Sequence, residues 1–204
     1  MGKLTLILLA GAAVVMAVAG LILLQPASGK RFLIISAPPE AVLPHLMDPD
    51  RLKAWVPQAL GIPRARFEVV GEGSGAHLVW RSGEGLGQVQ AEPARVDRAA
   101  RLRLVAGDGS ERIWRFRFGD AGRYGLALTV FTVYRPAGVL DRLDGFLKRE
   151  DRARALERGL SLLRGRVLAD FGQAGGSYRP PERHGRTGPD RVGALDTAQP
   201  LRAN

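Results

Sequence analysis

The chain has 204 residues, 46% of them hydrophobic and 25% charged, with 30 Lys and Arg against 20 Asp and Glu, for a net charge of +10. That length supports one domain with a proper core plus some appendages. There is no cysteine, which excludes a disulfide framework, thiolate catalysis and any Cys-ligated zinc or iron–sulfur centre.

The charge is unevenly spread. Residues 1–29 carry a single charged side chain, Lys3, and the remainder is rich in arginine. Only Lys3, Lys30, Lys53 and Lys148 are lysines, a bias expected of a GC-rich genome. No basic run is interleaved with aromatics as single-strand binders require, so no nucleic-acid partner is expected.

Residues 4–24 form a run of 21 without charge. As a helix the run is about 31 Å long, the hydrocarbon thickness of a bilayer. Gln25-Pro26-Ala27-Ser28-Gly29 then stops it. The run is longer than the apolar core of a signal peptide, so an uncleaved single-pass anchor over residues 1–29 is predicted. Its short N-terminal tail favours a cytoplasmic (inner) membrane location with the domain on the extracytoplasmic side.

Residues 31–36 read as a strand. Pro38-Pro39-Glu40 opens a helix whose apolar face is Val42, Leu43, Leu46 and Met47, with Pro44 expected to kink or shorten it. Asp48-Pro49-Asp50 caps a second short helix over residues 51–56, ended by Pro57. From 65 to 135 the period becomes two, punctuated by glycine turns. Six strands are predicted near 65–70, 76–82, 87–96, 100–106, 111–118 and 123–134, joined as an antiparallel meander.

After Pro136 the period returns to 3.6. Val139, Leu143 and Phe146 start an apolar stripe, and Leu156, Leu160, Leu163, Val167 and Phe171 continue it. A break is expected within residues 148–152, which hold no apolar side chain. The organisation is thus an anchor over 1–29, an α+β domain over 30–172 and a polar, aperiodic tail over 173–204, expected to be disordered.

The order of elements resembles the helix-grip fold. Ser36-Ala-Pro-Pro-Glu-Ala-Val42, followed by Asp48 and Trp55, is similar to the opening of the SRPBCC superfamily (START, polyketide cyclase–dehydrase and lipid-transport proteins). Gly73-x-Gly75 before Trp80, Pro93 after a long strand, and Gly159-Leu-x-x-Leu163 in the last helix also fit. Pro44 departs from the usual apolar residue of the first helix. The resemblance implies a curved sheet of about seven strands wrapped around the C-terminal helix, two short helices after the first strand, and a cavity holding a hydrophobic small molecule or lipid. No cofactor is expected, since no metal-ligand spacing or phosphate-binding loop occurs.

The alternation names the inward candidates for that cavity: Leu78, Trp80, Leu102, Leu104, Trp114, Phe116 and Phe118 from the strands, with Leu156, Leu160 and Leu163 from the helix. Trp55 is placed at the entrance. The same residues equally suit a filled core.

Catalytic signals are sparse. His45, His77 and His184 have no metal-ligand spacing, and no Gly-x-Ser-x-Gly elbow or Walker loop occurs. Tyr134, Glu72 or Glu84 could serve a cyclase-like role, but nothing in the sequence singles them out. The expected function is therefore membrane-anchored, non-catalytic ligand binding. The alternatives are a polyketide cyclase or dehydratase in the same cavity, or an interaction module with a filled core. Finally, pairing of 100–106 with 111–118 sets Arg101 opposite Arg115, with Arg103 and Arg117 on the same outer face. Like charges opposite one another cost about a few tenths of a kcal/mol, so this face is a candidate for anionic lipid headgroups.

Overall fold

The computed structural model describes residues 27–83, 85–93 and 100–175, together with Gly2, Gly11 and Gly20. Of the predicted anchor and tail, 27–29 belong instead to the first strand and 173 to the last helix, and the rest, apart from those glycines, 174 and 175, lies outside the described residues. Among the described residues no helix is long and apolar enough to cross a membrane.

Seven strands form one antiparallel sheet: β1 (Ala27–Ile35), β2 (Arg66–Val70), β3 (His77–Ser82), β4 (Gly85–Pro93), β5 (Ala100–Ala106), β6 (Glu111–Asp120) and β7 (Leu126–Arg135), in the order β1-β7-β6-β5-β4-β3-β2. Strands 2 to 7 follow one another, because short turns allow only neighbouring antiparallel pairing. The helical segment after β1 carries the chain across the sheet, so β1 and β2 become its two edges. Gly85, Gly109 and Gly122 take positive φ in the turns, where a Cβ is disfavoured.

Three short helices follow β1, where two were expected: α1 (Pro39–Met47), α2 (Pro49–Leu52) and α3 (Val56–Leu60). Pro57 does not end the second helix. It sits in the first turn of α3, where the missing N–H has no intrahelical partner to lose. Pro44 is accommodated within α1, and its carbonyl accepts the Asp48 N–H at 3.0 Å. The face of α1 is rotated from the expected one. Val42 and Leu46 are buried, Leu43 is exposed, and His45 is buried beside them.

The C-terminal helical region is broken at Lys148 into α4 (Val139–Leu147) and α5 (Arg149–Gln173). At 25 residues, α5 is about 37 Å long and crosses the inner face of the sheet. Leu156, Leu160, Leu163 and Val167 are buried beneath it, as their spacing predicts. Gly159 permits its close approach to α3: a Cβ there would stand 2.3 Å from the Ala59 Cβ. Arg31, inward on β1, meets Glu157 of α5 at 2.8 Å. The stripe does not extend back through α4, where Val139, Leu143 and Phe146 face outward.

One apolar cluster fills most of the space between sheet and helices. Trp55 lies at its centre, fully buried, stacked on Trp114 at 6.0 Å and edge-on to Phe116 at 6.1 Å. Its Nε1–H donates to the His45 carbonyl at 3.1 Å, so the indole is both packed and satisfied.

Candidate functional site

The inward residues of β6 are Arg112, Trp114, Phe116 and Phe118. Arg112 is the one cation among them. It is opposed by Leu104 on β5 and Tyr134 on β7, so an arginine and a tyrosine occupy the open end of an otherwise apolar face. Arg112 keeps some exposure, because it faces a cavity, yet burial dominates its titration. Desolvation, and secondarily the nearby Arg152, push its pKa down.

Arg152, from the start of α5, lies over the Tyr134 ring with Cζ 4.5 Å from the centroid. Arg112 Cζ lies 5.8 Å from the same centroid. Both are within cation–π range. The Tyr134 hydroxyl donates to Asp141, whose other oxygen accepts the Ala137 N–H at 2.9 Å. Burial, and then this hydrogen bond, raise the Tyr134 pKa, so the phenol holds its proton. Asp144 pairs with Lys148 at 2.9 Å and Arg152 at 3.2 Å. Both aspartates come from α4. That helix approaches because residue 145 is glycine: a Cβ there would stand 2.6 Å from Tyr134 Cε1.

Arg112, Tyr134 and Arg152 together separate two cavities. The larger, about 710 Å³, opens between the β3–β6 end of the sheet and the helices, with Leu60, Ile62, Trp80 and Leu104 on its apolar side. The smaller, about 160 Å³, lies towards β1 and includes Trp114, Thr132 and Leu156. The larger volume suits a small organic ligand, with apolar walls and a few placed polar groups. Trp80 forms part of its wall because its cross-strand partner is Gly87. A Cβ on Gly87 would stand 2.0 Å from Trp80 Cζ2.

Of the candidates named from the sequence, Trp80 and Leu104 line the larger cavity, and Trp114 and Leu156 the smaller. Trp55, Leu78, Leu102, Phe116, Leu160 and Leu163 lie in the packed cluster instead, and Phe118 packs against its margin. Trp55 is not at an entrance, because the Trp114 ring and α1 cover it. Of the other polar candidates, Glu72 is exposed and Glu84 lies outside the described residues.

On the outer face, Arg101 opposes Arg115 as expected, but Arg101 also opposes Glu92 and pairs with it at 3.3 Å. Arg103 pairs with Glu111 at 2.5 Å. Arg117 lies 5.3 Å from the Phe131 centroid, with Lys30 at 5.7 Å from the same ring. Among the described residues, no group of three His, Asp or Glu is placed to hold a metal ion.

Sequence reasoning missed Arg112 and Arg152. A signal existed for Arg112: it falls on the inward phase of the β6 alternation that ends in Trp114, Phe116 and Phe118. Arg152 had none, since the orientation of α5's first turn depends on how α4 docks.

The geometry resembles solved structures of low sequence identity. A protein from Chromobacterium violaceum matches with a TM-score of 0.51 at 15% identity, over 69% of this chain and 96% of that one. The KanY protein matches with a TM-score of 0.51 at 17% identity, over 71% and 99%. Norcoclaurine synthase from Thalictrum flavum, solved with dopamine and hydroxybenzaldehyde, matches with a TM-score of 0.50 at 16% identity, over 70% and 86%. The chain has a helix-grip fold. No family model matches it, and no curated protein sequence does. At these identities the likeness concerns the helix-grip fold alone.

Proposed function

We propose that this is a membrane-anchored binding protein that holds a hydrophobic small molecule or lipid between the sheet and the C-terminal helices. The cavity of about 710 Å³ carries the reading, because beside the packed cluster and the smaller cavity of about 160 Å³ it is the volume large enough for such a ligand. Norcoclaurine synthase, of the same fold, was solved with two aromatic molecules, which supports a ligand in this chain's cavity as well. Residues 4–24 supply the anchor, with the domain on the extracytoplasmic side. Anionic headgroups would meet the outer face at Arg115 and Arg117, since Arg101 and Arg103 are already neutralised by glutamates.

Native mass spectrometry of the full chain, released from lipid nanodiscs, tests the ligand. A retained small molecule, or a mass shift with added lipid, is expected. A bare spectrum that added lipids do not shift overturns the reading.

Catalysis of cyclase or dehydratase type is the second reading, favoured by the Tyr134–Asp141 pair at the cavity wall. A phenol that holds its proton suits donation to a developing oxyanion better than proton abstraction, and to donate there the Tyr134 O–H would turn away from Asp141. Recovery of the added ligand unchanged favours binding, and recovery of a transformed product favours the enzyme.

A further inference from the structure

Each carboxylate on the inner wall of the larger cavity already has a donor. Asp108 accepts the Ser110 N–H at 2.8 Å, Asp141 is held by Tyr134 and Ala137, and Asp144 by Lys148 and Arg152. Asp151 and Arg158 lie exposed at the rim. Arg112 is different. Among the described residues no carboxylate lies within ion-pair distance of it; Asp141 and Asp108 act on it only from farther off, and the ring it lies over is that of Tyr134. A half-buried guanidinium that faces a cavity, with no carboxylate paired to it, offers its N–H groups to an anion that enters there. The wall across from it, Leu60, Ile62, Trp80 and Leu104, is apolar.

We infer that the cavity recognises an amphiphile with an anionic head, its carboxylate or phosphate held by Arg112 and Arg152 and its apolar body lying along Trp80, Ile62 and Leu104. This rests on the ligand-binding reading and gives the ligand a chemical class. Guanidinium forks match either head through paired N–H···O bonds.

The test uses the full chain in phosphatidylcholine nanodiscs and three photoreactive probes of equal length: a fatty acid, an alkyl phosphate and a fatty alcohol. Both anions should label peptides at the cavity roughly tenfold above the alcohol, the value of one charge-assisted pair. Arg112→Gln should erase that preference, Arg112→Lys should restore part of it, and the rim variant Arg158→Gln should leave it intact. Labelling by one anion alone would assign the head to that class. Equal labelling by acid, phosphate and alcohol overturns the anionic head while leaving the cavity reading in place. Labelling by none of the three overturns both.

A second observation stands independently. On α4, Val139, Leu140, Leu143, Phe146 and Leu147 span an arc of roughly 120° at 100° per residue. Leu140 is 83% exposed and Leu147 71%. The opposite side, Asp141, Asp144 and Gly145, faces Tyr134 and Arg152. The helix is therefore inverted, with its carboxylates inward and its apolar arc outward. It also sits beside the root of the predicted anchor: Ala27, three residues after the apolar run ends, is paired with Tyr134, on which Gly145 packs.

The geometry points to a lipid bilayer as the occupant of this arc, with α4 lying in the membrane interface between anchor and cavity. Arg149, exposed just past the end of the arc, supplies a basic charge of the kind such helices turn towards anionic headgroups. The absence of cysteine allows single labels. In vesicles of phosphatidylcholine and phosphatidylglycerol, a fluorophore on Leu140→Cys of the full chain should be quenched by nitroxide-labelled lipid and shielded from aqueous iodide. A label on Ala174→Cys, at the far end of α5, should behave oppositely. Iodide quenching at 140 in a chain that floats with vesicles overturns this placement alone. Disulfide cross-linking of Leu140→Cys between copies overturns it in favour of a dimer. A chain that does not float overturns both the placement and the anchor.

Discussion

Trp80 lies flat on the backbone of Gly87, its partner on the neighbouring strand. No other residue fits there while the indole keeps its place, since an added Cβ would stand 2.0 Å from Cζ2. Gly87→Val should therefore push Trp80 into the larger cavity. Loss of the cavity ligand is expected, with altered Trp80 fluorescence and the fold retained. Full ligand occupancy in this variant would show that the cavity wall is not where the ligand sits.

Trp55 tests the opposite assignment. It is packed core, covered by Trp114, Phe116 and α1, so Trp55→Ala should cost about 3–5 kcal/mol of stability. Denaturant titration measures it. A small loss in stability with a large loss of ligand would instead return Trp55 to the cavity mouth.

His45 gives the protein an acid sensitivity. It is covered but shallow, with Arg51 N–H donating to its Nε2 at 3.1 Å and Asp170 at 3.4 Å. Burial first, and Arg51 next, lower its pKa below 6.5. The unfolded chain then binds the proton more readily than the folded one. Stability from this group is present above about pH 6.5 and declines as pH falls below it. Thermal melts between pH 7.5 and roughly 5 should show the decline, and His45→Gln should flatten it. An unchanged pH profile in His45→Gln would assign the effect elsewhere.

Asp141 holds both the Tyr134 hydroxyl and the Ala137 N–H. Asp141→Ala should leave the sheet intact while raising hydrogen exchange across residues 139–147. It should also lower the Tyr134 pKa, because the hydrogen bond that helps raise it is gone. Burial still acts, so the fall is partial. Ultraviolet titration of the three tyrosines, with Tyr134→Phe as the reference, reads it.

Much of the fold was legible because it rests on local periodicity. The period-two run from 65 to 135 located all six strands, and the Leu102–Trp114 and Arg101–Arg115 oppositions followed from the Gly107–Gly109 turn. The failures came where local pattern is ambiguous. Pro57 reads equally as a stop or a start, and the structure uses it as a start. Val139, Leu143 and Phe146 repeat the spacing of the α5 stripe, but the break at Lys148 leaves them on a separate helix with a different face. Arg112 lay on a visible inward phase and was hidden by the arginines around it.

By itself the sequence determined the order of the strands, their antiparallel pairing and the inward face of β3, β5 and β6, since φ/ψ preference and side-chain period are properties of short segments. Its 204 residues and charge of +10 also resolved into a charge-free run followed by an arginine-rich domain. Only the tertiary structure decided which inward residues fill the core and which border a cavity. That depends on where α5 and α3 close on the sheet, set at Gly159 against Ala59. It also decided the polar centre of the site. Arg112, Tyr134, Asp141 and Arg152 come from β6, β7 and two helices, and no local pattern encodes their meeting.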